Sequence, residues 1–239
     1  MEENRYSRQL LISDWSGECQ ENLARATVFI AGAGGLGSST AFYLAASGVG
    51  TIRICDDGDL ELSNLNRQIL YQESDIAAPK VIAAAERLKS LNSTINVVPV
   101  LKRITDATVD DCVGESDLII DCLDNFTARY CCNAAAVRKG IPFIHAGISG
   151  FSGQLTCFSP PETPCLSCIF PEVPDSGIVP VAGPAAGVIG SLEAMEGIKL
   201  LCGIGNPLKG RLLVWEGDVQ RTEIIDIARD PECPVCGSL

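Results

Sequence analysis

The chain has 239 residues, 46% of them hydrophobic, and a formal net charge of −12. That length suits one large α/β domain with a substantial core, and the negative charge disfavours nucleic acid and anionic membrane as main partners. No run reaches the roughly eighteen apolar residues of a membrane span, and MEENRYSRQLL at the N-terminus lacks a secretion pattern, so a soluble, cytoplasmic protein is expected.

The first predicted strand is the apolar run 26–31, ending at AGAGGLG, where Gly32, Gly34 and Gly37 spell G-x-G-x-x-G. Helical spacing follows over 38–47, with Gly48 as the stop. A second strand, 50–56, ends on Asp56, about twenty residues past the glycines, where a ribose-binding acid belongs. The next stretch, 60–80, is a polar connection, and Pro79 opens a helix over 79–92. Strands are expected at 95–100, 116–125 and 141–149, with a helix over 126–139 stopped by Gly140. This alternation predicts a Rossmann-like, doubly wound, mainly parallel sheet to about residue 150. Beyond it, 153–158, 210–217 and 222–227 read as antiparallel strands. Between them, the Pro- and Gly-rich segment 161–187 predicts a long mobile loop, and 188–203 an apolar helix.

The glycines alone establish only that backbone N–H groups at a helix start can approach an anion. An NAD-dependent oxidoreductase would also need an acid/base, and the only histidine, His145, sits on a strand end where a structural role is expected. The surrounding residues suit a triphosphate better. Asn64, Arg67 and Gln68 lie where doubly wound sheets bind ligands, and Arg67 offers a fork for phosphate oxygens. Lys80 adds a cation near a helix start, and Asp124 with Asn125 can hold magnesium.

Twelve cysteines are many for this length, and eight fit as small buried hydrophobes. The other four form two C-x2-C knuckles, Cys165/Cys168 and Cys233/Cys236. In an intracellular chain they predict a closed, structural zinc site that staples distant segments.

RYSRQ, GAGGLGSS, LSNLNRQIL, APK, DCLDN, GQL, PCLSC, GPAAGVIGSLEAMEGIKLL and CPVCG resemble, in order, the motifs of the ThiF/MoeB/HesA family, relatives of the ubiquitin-activating enzymes. The resemblance runs from about residue 4 to residue 237. It implies a homodimeric adenylyltransferase that transfers AMP from ATP, with Mg²⁺, to the C-terminal glycine carboxylate of a small β-grasp sulfur carrier ending in Gly-Gly. It implies one adenylation domain over 1–239, with a nucleotide-binding half (1–150) and a carrier-binding half (151–239) that holds a mobile loop at about 171–183. Carried onto this chain, it puts Gly35 in the phosphate loop and the ribose on Asp56. Ser63, Asn64, Leu65, Asn66 and Arg67 border the nucleotide, Asn64, Arg67 and Lys80 meet phosphates, and Asp124 holds Mg²⁺ beside Asn125. Arg8 would act in the partner subunit's site, and Cys165, Cys168, Cys233 and Cys236 would hold Zn²⁺.

Two positions depart from the family's pattern. Ser176 stands where sulfur-transferring relatives carry a loop cysteine, so a thiol relay on this loop is not expected, while adenylation is untouched. Gly58 replaces a second acid after the ribose acid, flanked by Asp57 and Asp59. Adenylation of a peptide or a modified tRNA base by the same fold, and a non-catalytic ATP-binding scaffold, are the alternatives.

Overall fold

The computed structural model describes residues 5–175, 177 and 179–239. Eight strands form one sheet in the order β3-β2-β1-β4-β5-β6-β7-β8. They are β1 (Thr27–Ala31), β2 (Thr51–Cys55), β3 (Asn96–Val100), β4 (Leu118–Asp121), β5 (Phe143–Ser149), β6 (Ser152–Phe158), β7 (Arg211–Glu216) and β8 (Arg221–Asp226). The first five are parallel and β6 to β8 run antiparallel. The strand order reverses between β1 and β4, which opens a crevice at their carboxyl ends.

The central strands are apolar on both faces, because helices cover both. Val28 and Ile30 of β1 enter one core with Ile52, Ile54, Leu118 and Ile120, beneath α2 (Gly35–Ser47), α3 (Lys80–Leu91) and α7 (Gly183–Cys202). Phe29 and Ala31 face the other core, with Ile119 and Phe143, beneath α4 (Val109–Val113) and α5 (Phe126–Lys139).

Four elements differ from the expectations, the first being the five-residue α4, which falls in a stretch given no element from the sequence. A nine-residue helix, α1 (Gly17–Arg25), precedes β1 and buries only Cys19 and Leu23, with the Ser16 hydroxyl accepting from Cys19 N at 3.3 Å. One short turn of helix, α6 (Leu166–Ile169), lies within the expected loop. The last long helix begins at Gly183 rather than residue 188, because Pro184 in its first turn needs no N–H partner and fits the helical φ.

α2 and α7 cross closely at Gly190, where any Cβ would stand 2.6 Å from Leu36 O. Beside the crossing, fully buried Glu193 accepts from the Thr40 hydroxyl at 2.8 Å and meets Cys122 Sγ at 3.5 Å. Burial raises its carboxyl pKa well above the ordinary value. Asp121 adds to the rise, whereas Thr40, Cys122 and Arg129 oppose it. A raised folded-state pKa contributes stability below the unfolded pKa, and that stability is lost as pH rises through the folded value. Glu193→Gln removes this titration, so its melting temperature relative to wild type is expected to climb as pH rises from 5 to 8. Parallel melting curves for the two proteins would refute it.

Candidate nucleotide site and cysteine cluster

Strand register brings the site together. Ala31 pairs with Cys55 and with Asp121, and Cys55 pairs with Val100, so four parallel strands end at one level, with His145 of the longer β5 opposite Asp121. The residues that follow, Gly32, Asp56 and Cys122, therefore line one edge. Gly32 has φ +99°, donates to Cys55 O at 2.8 Å, and would place a Cβ 2.6 Å from Cys122 O. A Cβ on Gly37 would lie 2.1 Å from Gly32 O. The fold itself demands both glycines.

Gly34 is different. A Cβ there would meet only Gln68 Nε2, at 3.8 Å, so the gap in front of α2 is free for a ligand. The first N–H groups of α2 have no intrahelical partners and point into that gap. Gln68 is 4% exposed, and its Oε1 has no hydrogen-bond partner among the described residues. An orphaned acceptor beside unpaired backbone donors fits a nucleotide. Gly37→Ala is expected to destabilise by about 2–3 kcal/mol or more through overpacking. Gly34→Ala should keep the melting temperature yet weaken ATP binding, and calorimetry on both variants checks the contrast.

Asp56 ties the loop to its own strand. One carboxylate oxygen accepts from Ala33 N at 2.9 Å and the other from Gly58 N at 2.8 Å. Lys80 N donates to Gly58 O at 3.1 Å and Asp59 bridges Pro79, which places the start of α3 beside Asp56. A side chain at Gly58 would crowd Asp56 Oδ1, at 3.1 Å, and touch Lys80 Nζ, at 3.5 Å. Tyr71 donates to Ala33 O at 2.7 Å from beneath, and burial holds its hydroxyl pKa well above the usual range.

A 3-10 turn, Leu62–Asn64, carries the next group. Asn64 is buried, its Oδ1 accepts from Glu61 N at 3.1 Å, and its carbonyl accepts from Arg67 N and Gln68 N. Leu65 packs on the core, while Ser63 and Asn66 are exposed. Arg67 donates to Ser63 O at 3.0 Å and Asn66 Oδ1 at 2.9 Å, and its Cγ would lie 3.5 Å from a Cβ on Gly35. Among the described residues neither Arg67 nor Lys80 has a carboxylate within 4.0 Å. Two cations without carboxylate partners near the start of a helix are an arrangement that can hold an anion.

Asp124 is exposed, and its carboxylate accepts from Asn125 Nδ2 at 3.3 Å. Asn125 also caps α5, accepting from Ala128 N at 2.9 Å. Behind them lies a buried group that sequence reasoning missed. Asp121 Oδ2 meets His145 Nδ1 at 2.6 Å and Arg129 Nε at 3.2 Å. Burial lowers the His145 pKa despite the opposing contact with Asp121. The only sequence signal was an acid inside the apolar run LIIDC. The segment before α7 is tethered here too: Asp175 accepts from Phe126 N, Thr127 N and the Thr127 hydroxyl. Ser176 lies outside the described residues.

Arg8 is not brought to this edge. It is exposed at the first 3-10 turn, where neighbouring Tyr6 stacks against Gly48 and Gln9 donates to Ser47 O. That is the far end of α2, whose thirteen residues span roughly 18 Å.

The knuckles do converge. All four Sγ atoms of Cys165, Cys168, Cys233 and Cys236 lie within 4.8 Å of one another, with separations of 3.4, 3.7 and 3.9 Å along three edges. A tetrahedron with metal–sulfur bonds of about 2.3 Å has edges of roughly 3.8 Å, so the set fits zinc. Asn133 of α5 supports it, donating to Cys165 Sγ at 3.7 Å and accepting from Leu166 N at 2.9 Å.

Among curated relatives, the chain is 41% identical over 241 residues to the Escherichia coli sulfur carrier protein ThiS adenylyltransferase, covering 98% of this chain and 94% of that protein. It is 39% identical over 240 residues to the SAMP-activating enzyme E1 of Haloferax volcanii, covering 98% and 88%. Among solved structures, E. coli MccB with ATP superposes with a TM-score of 0.88 at 29% identity, over 99% of this chain and 75% of that one. The ThiF family model matches residues 6–235, and the chain belongs to the ThiF family.

Proposed function

We propose that this enzyme adenylates the C-terminal glycine carboxylate of a small β-grasp sulfur-carrier protein ending in Gly-Gly. The observation that carries the reading is the pair of uncompensated cations, Arg67 and Lys80, beside the free N–H groups of α2 and the orphaned Gln68 acceptor. The named activities of the relatives support adenylyl transfer to a carrier protein.

A carboxylate oxygen of the carrier attacks the α-phosphorus of ATP, the bond to the β-phosphate breaks, and pyrophosphate leaves. Arg67, Lys80 and the α2 N–H groups, near Gly34 and Gly35, oppose the negative charge that develops. Asp56 holds the ribose, and Asn64 meets the phosphates. Asp124 would carry Mg²⁺, which when bound neutralises triphosphate charge. The nucleophile is already ionised, so no general base is needed. His145 is wholly buried against Asp121, which also counts against a hydride-transfer role.

Residues 1–150 form the nucleotide-binding half and 151–239 the carrier-binding half. Arg8, stranded at the opposite edge, serves the partner's site in a homodimer. Ten cysteines are buried and only Cys168 and Cys202 are half-exposed, which suits direct adenylation without a relay thiol on this chain. No helix among the described residues is long and apolar enough to cross a membrane, and with twelve unbridged thiols a reducing cytoplasm is the compartment we assign.

ATP–pyrophosphate exchange tests the reading. Exchange should require a carrier ending in Gly-Gly and vanish when those glycines are removed. Exchange with an unrelated peptide or with tRNA, and none with any carrier, would overturn it.

A further inference from the structure

The β4–α5 corner that carries Asp124 contains a backbone clamp. Leu123, the residue immediately before Asp124, is held at both of its polar groups. Its N–H donates to Asp121 Oδ1 at 3.1 Å, and its carbonyl accepts from Arg129 Nη2 at 2.5 Å. The two holders are themselves an ion pair, Asp121 Oδ2 to Arg129 Nε at 3.2 Å, with side chains 0% and 8% exposed. Each holder is fixed again from behind. His145 Nδ1 binds Asp121 at 2.6 Å, and Arg129 Nη2 also reaches Ala146 O at 3.1 Å while its guanidinium lies 4.9 Å over the Phe126 ring. The His145 ring is walled by Phe158 and Phe170.

A buried ion pair is weak evidence for stability, since hydrophobic residues of similar volume often serve as well. What such a pair supplies is a fixed geometry. Here that geometry ends on the backbone next to exposed Asp124. The glycine loop joins the same assembly, because Gly32 packs against Cys122 O, one residue before Leu123.

We propose that Asp121 and Arg129, backed by His145, are positioning residues for Asp124: they set the divalent-cation site by gripping Leu123, and they touch neither nucleotide nor carrier. The proposal rests on Asp124 as the cation ligand. Residues that orient a ligand from behind typically change metal affinity by about 10–100-fold when replaced.

The test is Mn²⁺ binding by electron paramagnetic resonance with a non-hydrolysable ATP analogue present, together with divalent-free nucleotide affinity and thermal melting. Arg129→Lys keeps a buried cation beside Asp121 but loses the fork that also reaches Leu123 O and Ala146 O. It should weaken Mn²⁺ binding by about tenfold or more while divalent-free nucleotide affinity changes less than about twofold. If Arg129→Lys fails to fold, the neutral pair Asp121→Asn with Arg129→Gln replaces it, with the same expectation. Unchanged Mn²⁺ affinity, or equal loss of Mn²⁺ and divalent-free nucleotide binding, overturns the positioning role. Asp124→Asn separates the two levels. If it leaves Mn²⁺ affinity intact, the assignment of Asp124 fails and the positioning role falls with it. If it weakens Mn²⁺ binding and Arg129→Lys does not, only the positioning role is lost.

Discussion

Arg67→Ala is expected to lower carrier-dependent ATP–pyrophosphate exchange by about 10²–10³-fold, the range seen when one preorganised partner of developing charge is removed. Stability should move by no more than about 0.5 kcal/mol, because among the described residues the side chain bonds only Ser63 O and the Asn66 amide and has no ion-pair partner. The effect should fall mainly on kcat, since negative charge on the oxygens around the reacting phosphorus and on the departing pyrophosphate shifts between ground and transition states. Arg67→Lys should recover part of the loss, for an ammonium supplies charge without the two-pronged geometry. Full exchange activity in Arg67→Ala would remove the basis for reading the anion site as catalytic.

The second large effect concerns the cysteine cluster. The purified protein is expected to contain one zinc per chain, and Cys236→Ser should reduce this by about tenfold or more, measured by elemental analysis. Structural zinc in small domains is worth roughly 10 kcal/mol or more of apparent binding energy. Beyond the cysteines, the segment after β8 is tied to the sheet chiefly by Ile227 N donating to Gly210 O at 2.9 Å, while Arg229 bonds within the segment, to Cys236 O and Leu239 O. Limited proteolysis should therefore cut Cys236→Ser after residue 226 while the parallel sheet survives. A metal-free wild type with equal protease resistance would sink the assignment.

Much of the parallel half was legible because its strands are dense apolar runs ended by glycines or acids, and its helices carry Gly stops. Gly48 and Gly140 both terminate helices with positive φ. The antiparallel extension was visible from its short β-rich runs. α1 escaped notice because it buries two side chains, too few for a periodic signal. The start of α7 was hidden by Pro184, which marks a loop and a first helical turn equally well. At the candidate site, the glycines, Asp56, 63–67, Lys80 and Asp124 could be grouped because each follows a strand or opens a helix, and parallel topology sends such positions to one edge. The Asp121–Arg129–His145 group could not be read that way. Its members come from β4, α5 and β5, and only the registered pairing of Asp121 with His145 makes them neighbours. Likewise nothing in RYSRQ reveals that the N-terminal segment packs on the far ends of α2 and α3, where Arg5 donates to Leu91 O at 2.9 Å.

The close seating of Gly32 on Cys122 O has a thermodynamic consequence for ligand capture. The glycine turn and the corner leading to Asp124 are wedged together, with no room for a side chain between them. Their conformational entropy is surrendered during folding, so little remains to be surrendered on association. Nucleotide affinity should then depend weakly on loop ordering, and the slow, ordering-limited step should fall in the proposed carrier-binding half, where the segment around Asp175 is held to α5 by that exposed carboxylate and by Val173 N donating to the Tyr130 hydroxyl at 2.8 Å.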